Sequence, residues 1–291
     1  MQLFHRVLLR DKPTWMFSST PFISPNSKLK LKKIQNSQEF EKEPISWLKQ
    51  GIALENEEVD VHYSQLLAPL PSQPPAVYGL GLNYDAHSKE TNMPLPQYPI
   101  VIGKSPTSLI GPNENILIPK VCPQQEVDFE VELAIIIGKT CKNASRGEAL
   151  DYVLGFTCGN DVSARKWQGK KGGGQWTRAK SFDTFMPLGP SIASSQSIDC
   201  SKVNIRSRLQ KAGQSMNIMQ DSSTHDLIFD IPTLIEFLSQ DTTLPAWSVI
   251  LTGTPSGVGY TRNPPVFLEK GDIIQVEIDG LGVLTNPVQN G

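Results

Sequence analysis

The stretch Glu126–Gly138, EVDFEVELAIIIG, decides the fold. Its centre alternates: Phe129, Val131 and Leu133 fall on one side of an extended chain, and Asp128, Glu130 and Glu132 on the other. After Leu133 the unbroken apolar run Ala134-Ile135-Ile136-Ile137 predicts a strand that enters a core. Glu130 and Glu132, two positions apart, point the same way about 7 Å from each other. Near a core such a pair is costly unless a cation or hydrogen-bond donors neutralise it. A divalent metal is the simplest answer, because hard cations take carboxylate oxygens. The same spacing also suits a solvent-facing strand edge with two ordinary glutamates, so the flanking sequence has to separate the two readings.

Downstream, Ser145 and Glu148 form a capping-box pattern that predicts a short helix over RGEALDYV. Leu154–Asn160 (LGFTCGN) reads as a returning strand that delivers Asp161, the natural third carboxylate. In the short turn that follows, Arg165 and Gln168 are three apart and share a face. The glycines of KKGGGQ predict a flexible loop without the G-K-[ST] of a phosphate loop. Lys180 comes next, then Pro187–Pro190 (PLGP), which predicts a turn. Residues 200–225 predict strands and a hairpin. Pro232 suits the first turn of the helix TLIEFLSQ. Ser248–Leu251 is a strand opening into TGTPSGVG, a loop whose backbone N–H groups around Thr254 suit an anionic substrate end.

Upstream, Ala76–Gly81 (AVYGLG) reads as a buried strand running into LNYDAHSKE, where Asn83 or Asp85 can cap a short helix. His87 and Glu90 lie at i and i+3 on it; a carboxylate there raises a histidine's basicity and fixes its tautomer, as a general base requires. A surface His–Glu pair has the same spacing. The glycines lack the G-x-G-x-x-G spacing of a dinucleotide loop. Pro99–Lys104 (PIVIGK) is a further strand ending in Lys104. The proline-rich 69–75 marks a boundary between a small N-terminal domain, 1–72, and a larger domain, 73–291. A helix beginning at Ser37 is interrupted by Pro44. The first 35 residues, basic and serine-rich, fit either an organelle transit peptide or a first strand, Leu3–Leu9, followed by a basic loop.

Composition narrows the function classes. The 291 residues carry a net charge of −2, which gives no electrostatic footprint for nucleic acid or an anionic membrane. No apolar run approaches the ~20 residues needed to span a bilayer. Cys122, Cys141, Cys158 and Cys200 show no C-x-x-C spacing and read as reduced, buried thiols of an intracellular protein, cytoplasmic or mitochondrial. Strands outnumber helices from residue 76 onward, which predicts a β-rich α+β fold.

Together these pieces resemble the fumarylacetoacetate hydrolase family. The motifs GLNYDAHSKE, EVDFEVELAIIIGK, GFTCGNDVSARKWQ, AKSFDTFMPLGP, LTGTPSGVG and KGDIIQVEIDGLGVLTN occur in the family's order over about residues 76–288. AKSFDTFMPLGP and NPPVFLEKGD look closest to the fumarylacetoacetate hydrolase domain-containing proteins, a branch with mitochondrial members. The resemblance implies a mixed β-sandwich roll with short flanking helices, assembled as a homodimer. It implies a Mg²⁺ or Mn²⁺ site at Glu130, Glu132 and Asp161, with Lys180 beside the metal. It implies that His87 and Glu90 form an acid–base dyad on a lid helix that orders on substrate binding. Arg165, Gln168 and Thr254 match positions that hold substrate oxygens, and Lys104 matches a pocket lysine. Two departures stand out: Pro245-Ala246-Trp247-Ser248 replaces the usual P-G-D, and the hairpin RSRLQKAGQSMN lacks the usual V-N-G tip.

The implied chemistry acts on small β-diketo or 2-oxo acids through a metal-stabilised enolate. C–C bond hydrolysis of the acylpyruvate or fumarylacetoacetate type, oxaloacetate decarboxylation and oxaloacetate enol–keto tautomerisation share that intermediate. A non-catalytic scaffold with this fold would not need the three carboxylates, Lys180 and the dyad together.

Overall fold

The structure is a computed structural model that describes residues 1–122 and 125–291. Its strands are β1 (Leu3–Leu9), β2 (Lys12–Ser18), β3 (Lys28–Ile34), β4 (Leu54–His62), β5 (Val77–Gly81), β6 (Ile100–Gly103), β7 (Leu109–Ile110), β8 (Ile116–Ile118), β9 (Val127–Asp128), β10 (Val131–Ile137), β11 (Val153–Asn160), β12 (Ser163–Ala164), β13 (Met186–Ser194), β14 (Asn204–Gln210), β15 (Met216–Ser223), β16 (Val249–Leu251), β17 (Ile273–Ile278) and β18 (Gly282–Asn290). The helices are α1 (Ser37–Lys42), α2 (Pro44–Gln50), α3 (Asp85–Glu90), α4 (Arg165–Gln168), α5 (Trp176–Lys180) and α6 (Ile231–Ser239).

The strands form one large mixed sheet in the order β4-β3-β2-β1-β13-β11-β10-β16-β5-β6, with β7 also on β13. A second sheet runs β15-β14-β17-β18-β8, and β12 and β9 make a short ribbon. This is the β-rich α+β architecture expected, with short helices at its margins.

β10 is central because both its faces are buried. Val131, Leu133, Ile135 and Ile137 pack toward β14, β17 and α6 through Ile205, Val276, Leu234 and Ile235. Ala134 and Ile136 pack on the opposite face with Phe40, Ile45 and Leu48 of α1 and α2. A strand covered on both faces needs apolar side chains at successive positions, which explains the AIII run. Each such isoleucine contributes about 1.5–3 kcal/mol by burial.

The ladder breaks at Phe129 and Glu130, between β9 and β10. There the backbone N–H groups donate to side chains instead, Phe129 to Asp128 Oδ1 (2.8 Å) and Glu130 to Asn160 Oδ1 (3.0 Å).

Several local expectations are corrected. PLGP is not a turn but lies inside β13, where the register against β11 is irregular and two prolines cost little ladder bonding. RGEALDYV gives only a 3₁₀ turn, Ala149–Tyr152, although Ser145 Oγ does meet Glu148 Oε2 at 2.6 Å. Pro44 does more than stop α1: it occupies the first position of α2, where its missing N–H is free of cost. Neither Asn83 nor Asp85 caps α3, whose N-cap is Tyr84 with no side-chain bond. Asn83 instead ties the Thr252 and Phe229 carbonyls, at 2.8 and 3.1 Å.

In the first 35 residues Leu3–Leu9 is a strand, and the basic segment is a strand as well, not a loop. β3 sits between β2 and the acidic β4, with Lys28 on Asp60 and Lys33 on Glu55, both at 2.9 Å. β1 joins β13 through Leu3↔Ala193 and Phe4↔Ile192, so the N-terminal strands continue the large sheet.

His5 on β1 is fully buried, with its ring edge-on to Phe22 and Nε2 2.8 Å from Ser18 Oγ. Burial pushes its pKa down to about 3. A base depressed in the folded state takes its proton in the unfolded chain first. Its stability is therefore complete above pH ~6.5 and is lost as pH falls toward 3. Urea unfolding at about pH 7.5 and pH 5.5 should show the wild type losing about 1.4 kcal/mol more than His5→Gln over that step. Equal losses in both proteins would place the imidazole in contact with water.

Candidate active site

Four chain segments end at one edge of the large sheet. β5 and β16 are parallel neighbours, so the loops leaving their C-terminal ends lie side by side. β10 is antiparallel to β11 and β16, which brings its N-terminal end to the same edge as the C-terminal end of β11. The register Val131↔Asn160 sets Asp161 beside Glu130, and the Asp161 N–H donates to the Glu130 carbonyl (2.9 Å).

Glu130, Glu132 and Asp161 are buried, and each offers a carboxylate oxygen within 4.8 Å of the others. Lys180, delivered by the end of α5, donates to Glu130 Oε2 (2.7 Å), Asp161 Oδ2 (2.5 Å) and Ser163 Oγ (2.9 Å). Arg165 pairs with Glu130 Oε1 (2.7 Å), donates from Nε to Asp128 Oδ2 (2.8 Å) and from Nη1 to Gln168 Oε1 (2.8 Å), and lies 4.2 Å from the Tyr260 ring centre. Burial alone would raise the Glu130 pKa, but Lys180 and Arg165 outweigh it and hold the group at about 2.

Glu132 is different. It accepts the Gly253 N–H (2.7 Å) and, among the described residues, has no ion-pair partner. Burial, with Asp161 and Glu130 adding like charge, pushes its pKa well above the carboxylate range. A buried carboxylate of this kind lacks positive charge, and three hard oxygen donors are what a divalent cation takes. The residues present therefore fit such an ion. Gly253 is required as glycine: its φ is +96°, and a Cβ would lie 2.8 Å from the Asn83 Cβ.

Opposite the carboxylates stands α3. His87 Nδ1 is 2.8 Å from Glu90 Oε2, leaving Nε2 unengaged by that pair. The other Glu90 oxygen accepts the Gly257 N–H (2.9 Å) and the Thr261 hydroxyl (2.8 Å). Burial favours the protonated carboxyl, but the bonds from His87, Gly257 and Thr261 outweigh it and keep Glu90 below the usual range. The first turn of α3 is held by Asp226, whose Oδ2 accepts the Ala86 N–H (3.1 Å).

A cavity of about 300 Å³ lies at these residues. His87, Glu130, Arg165, Gln168, Lys180 and Thr254 line it. Leu80, Leu82, Met93, Ile102, Trp176 and Tyr260 make it largely apolar. Lys104 is placed elsewhere. Its side chain is fully buried behind Asp161, with Nζ 2.7 Å from Oδ1 as an ion pair and bonded to the carbonyls of Lys180 and Phe185. The Thr254 hydroxyl donates to the Val131 carbonyl (2.9 Å) and accepts from Gln220 (2.7 Å).

Sequence reasoning gave no role to Asp128, Ser163, Gln220, Tyr260 and Thr261. Asp128 shares the alternation phase of Glu130, which was a usable signal. It is the hub that holds Arg165 and accepts the Gly259 and Tyr260 N–H groups at 2.8 and 3.0 Å.

Comparison with known proteins agrees with this fold. The family model described as fumarylacetoacetate (FAA) hydrolase C-terminal matches residues 76–289. The chain is 45% identical over 224 residues to a Xenopus laevis protein named oxaloacetate tautomerase fahd2, mitochondrial, covering 77% of this chain and 68% of that one. Among solved structures, fumarylacetoacetate hydrolase from Exiguobacterium antarcticum matches with a TM-score of 0.81 and 30% identity over the whole of both chains. The 5-carboxymethyl-2-hydroxymuconate delta-isomerase of Mycobacterium smegmatis matches with a TM-score of 0.77 and 35% identity, again over both chains in full. From the motifs, the sheet topology and these matches together, the chain belongs to the fumarylacetoacetate hydrolase family of enzymes.

Proposed function

We propose that this enzyme converts the enol and keto forms of a small 2-oxo acid, oxaloacetate in the first instance, with Mg²⁺ or Mn²⁺ held by Glu130, Glu132 and Asp161. The observation that carries this reading is one cavity lined together by His87, Glu130, Arg165, Gln168 and Lys180. The identity with the tautomerase of Xenopus laevis supports the choice of reaction.

Glu130, Glu132 and Asp161 would hold the ion, which would supply positive charge where enolate charge develops. With Nδ1 held by Glu90, His87 Nε2 takes the enol hydroxyl proton and returns a proton to the adjacent carbon. Lys180 holds Glu130 and Asp161 in place and helps keep Glu130 ionised. Lys104 holds Asp161 from behind. Arg165, fixed by Asp128, presents Gln168 to the substrate carboxylate, and Thr254 lines the same cavity.

The apolar walls favour a second reading, hydrolysis of an acylpyruvate, whose acyl tail would lie against Leu80, Ile102 and Trp176. With Mg²⁺ present, side-by-side assays of oxaloacetate enol–keto exchange, oxaloacetate decarboxylation and acylpyruvate hydrolysis separate the readings. Exchange should be the fastest. Hydrolysis outpacing it would favour the second reading, and no turnover in any assay would leave a scaffold.

Residues 1–72 and 73–291 are proposed as two units. The matched family region begins at residue 76, and Val7, Met16, Leu31, Val61 and Leu66 form a cluster of their own. If so, the 73–291 fragment should unfold in a separate step from the rest; one step for the intact chain would argue against the division. The protein is further proposed to be a homodimer, which a light-scattering mass of 32.1 kDa would contradict. A mitochondrial location, as in the name of the Xenopus laevis relative, is testable by cell fractionation, and recovery in the cytosolic fraction alone would refute it.

A further inference from the structure

Thr261 lies in a 3₁₀ turn, Gly259–Thr261, beyond the TGTPSGVG loop. Its hydroxyl oxygen is 2.8 Å from Glu90 Oε1 and 2.9 Å from the Val258 carbonyl. A hydroxyl has one proton, so it serves one of these acceptors at a time. The carboxylate is charged and is the stronger acceptor. The Gly257 N–H donates to the same Glu90 oxygen, which leaves Oε2 aimed at His87 Nδ1. We propose that Thr261 is a positioning residue for the dyad: its hydroxyl donates to Glu90 Oε1 and, with the Gly257 N–H, turns Oε2 toward His87 Nδ1.

Glu90 Oε1 is held by two donors from the Gly257–Thr261 segment, and through Oε2 the imidazole of His87 is fixed. Asp226, at the other end of α3, acts on the Ala86 backbone and does not touch the dyad. The inference rests on the proposed role of His87 and Glu90, and the test keeps the two apart.

Thr261→Val removes the donor at nearly constant shape, and Thr261→Ser restores it. With Mg²⁺ and oxaloacetate, Thr261→Val should lower kcat about tenfold, as expected for losing a hydrogen bond to a charged group, with KM and Tm close to wild type. Thr261→Ser should recover most of that loss. A wild-type kcat for Thr261→Val in a protein whose His87→Ala variant is crippled would overturn the latch and leave the dyad standing. So would a raised KM at unchanged kcat, which means a role in substrate binding alone, or an equal loss in the valine and serine variants with a lowered Tm, which means packing alone. Full activity of His87→Ala would overturn the dyad itself.

Discussion

Glu130→Ala is expected to abolish both divalent-ion binding and turnover. Glu130 offers one of the three clustered oxygens, and it is also the shared partner of Lys180 and Arg165. Its removal leaves two buried cations short of a counter-charge, and breaking a buried pair in this way costs about 3–5 kcal/mol. Calorimetric titration with Mg²⁺, turnover and urea unfolding should therefore all change together. Glu130→Gln keeps the volume and one acceptor oxygen, so it separates the ion from the fold: it should remain folded and still lose Mg²⁺ binding. Mg²⁺ affinity surviving in a folded Glu130→Gln protein would move the ion away from this cluster.

His87→Ala is the second large effect, and it is of a different kind. His87 meets Glu90 and the cavity but none of the three carboxylates by a direct bond. General acid–base assistance is typically worth about 10²–10⁴-fold, so kcat should fall by that order while Mg²⁺ affinity stays near wild type. Retained turnover would put proton transfer elsewhere, with Lys180 the next group in line. Lost Mg²⁺ affinity would break the division of labour between dyad and carboxylates.

The parts of the site legible in the sequence are those whose partners lie within one turn or one strand. Glu130 and Glu132 are set together by the two-residue period of a strand, and His87 and Glu90 by the three-residue spacing of a helix. Asp161 is legible because it ends a recognisable apolar strand. What is not legible depends on pairing across the chain. Lys104 reaches Asp161 and Lys180 over 76 residues of separation from the latter, and its ammonium turns behind the carboxylate instead of into the cavity. Asp128 gains its role from Arg165, 37 positions away, and Thr261 gains its role from Glu90, 171 positions away.

The fold divides the same way. The buried character of β10 is plain from AIII, because a strand covered on both faces takes apolar side chains at successive positions. PLGP misleads because prolines usually punctuate, and only the irregular register with β11 lets them sit within β13. Trp247 carries a positive φ of +68° in the segment that replaces P-G-D. Its ring centre lies 5.8 Å from that of Trp15 and its indole N–H donates to the Glu41 carbonyl (2.7 Å), ties to β2 and α1 that no local pattern reveals.

If, as proposed, an ion held by the three carboxylates and a proton moved by His87 act in one cavity, oxaloacetate enol–keto exchange by the wild-type protein should fall to the uncatalysed rate with a chelator and recover when Mg²⁺ is added back. Exchange at the full rate in the chelated protein would contradict the proposal.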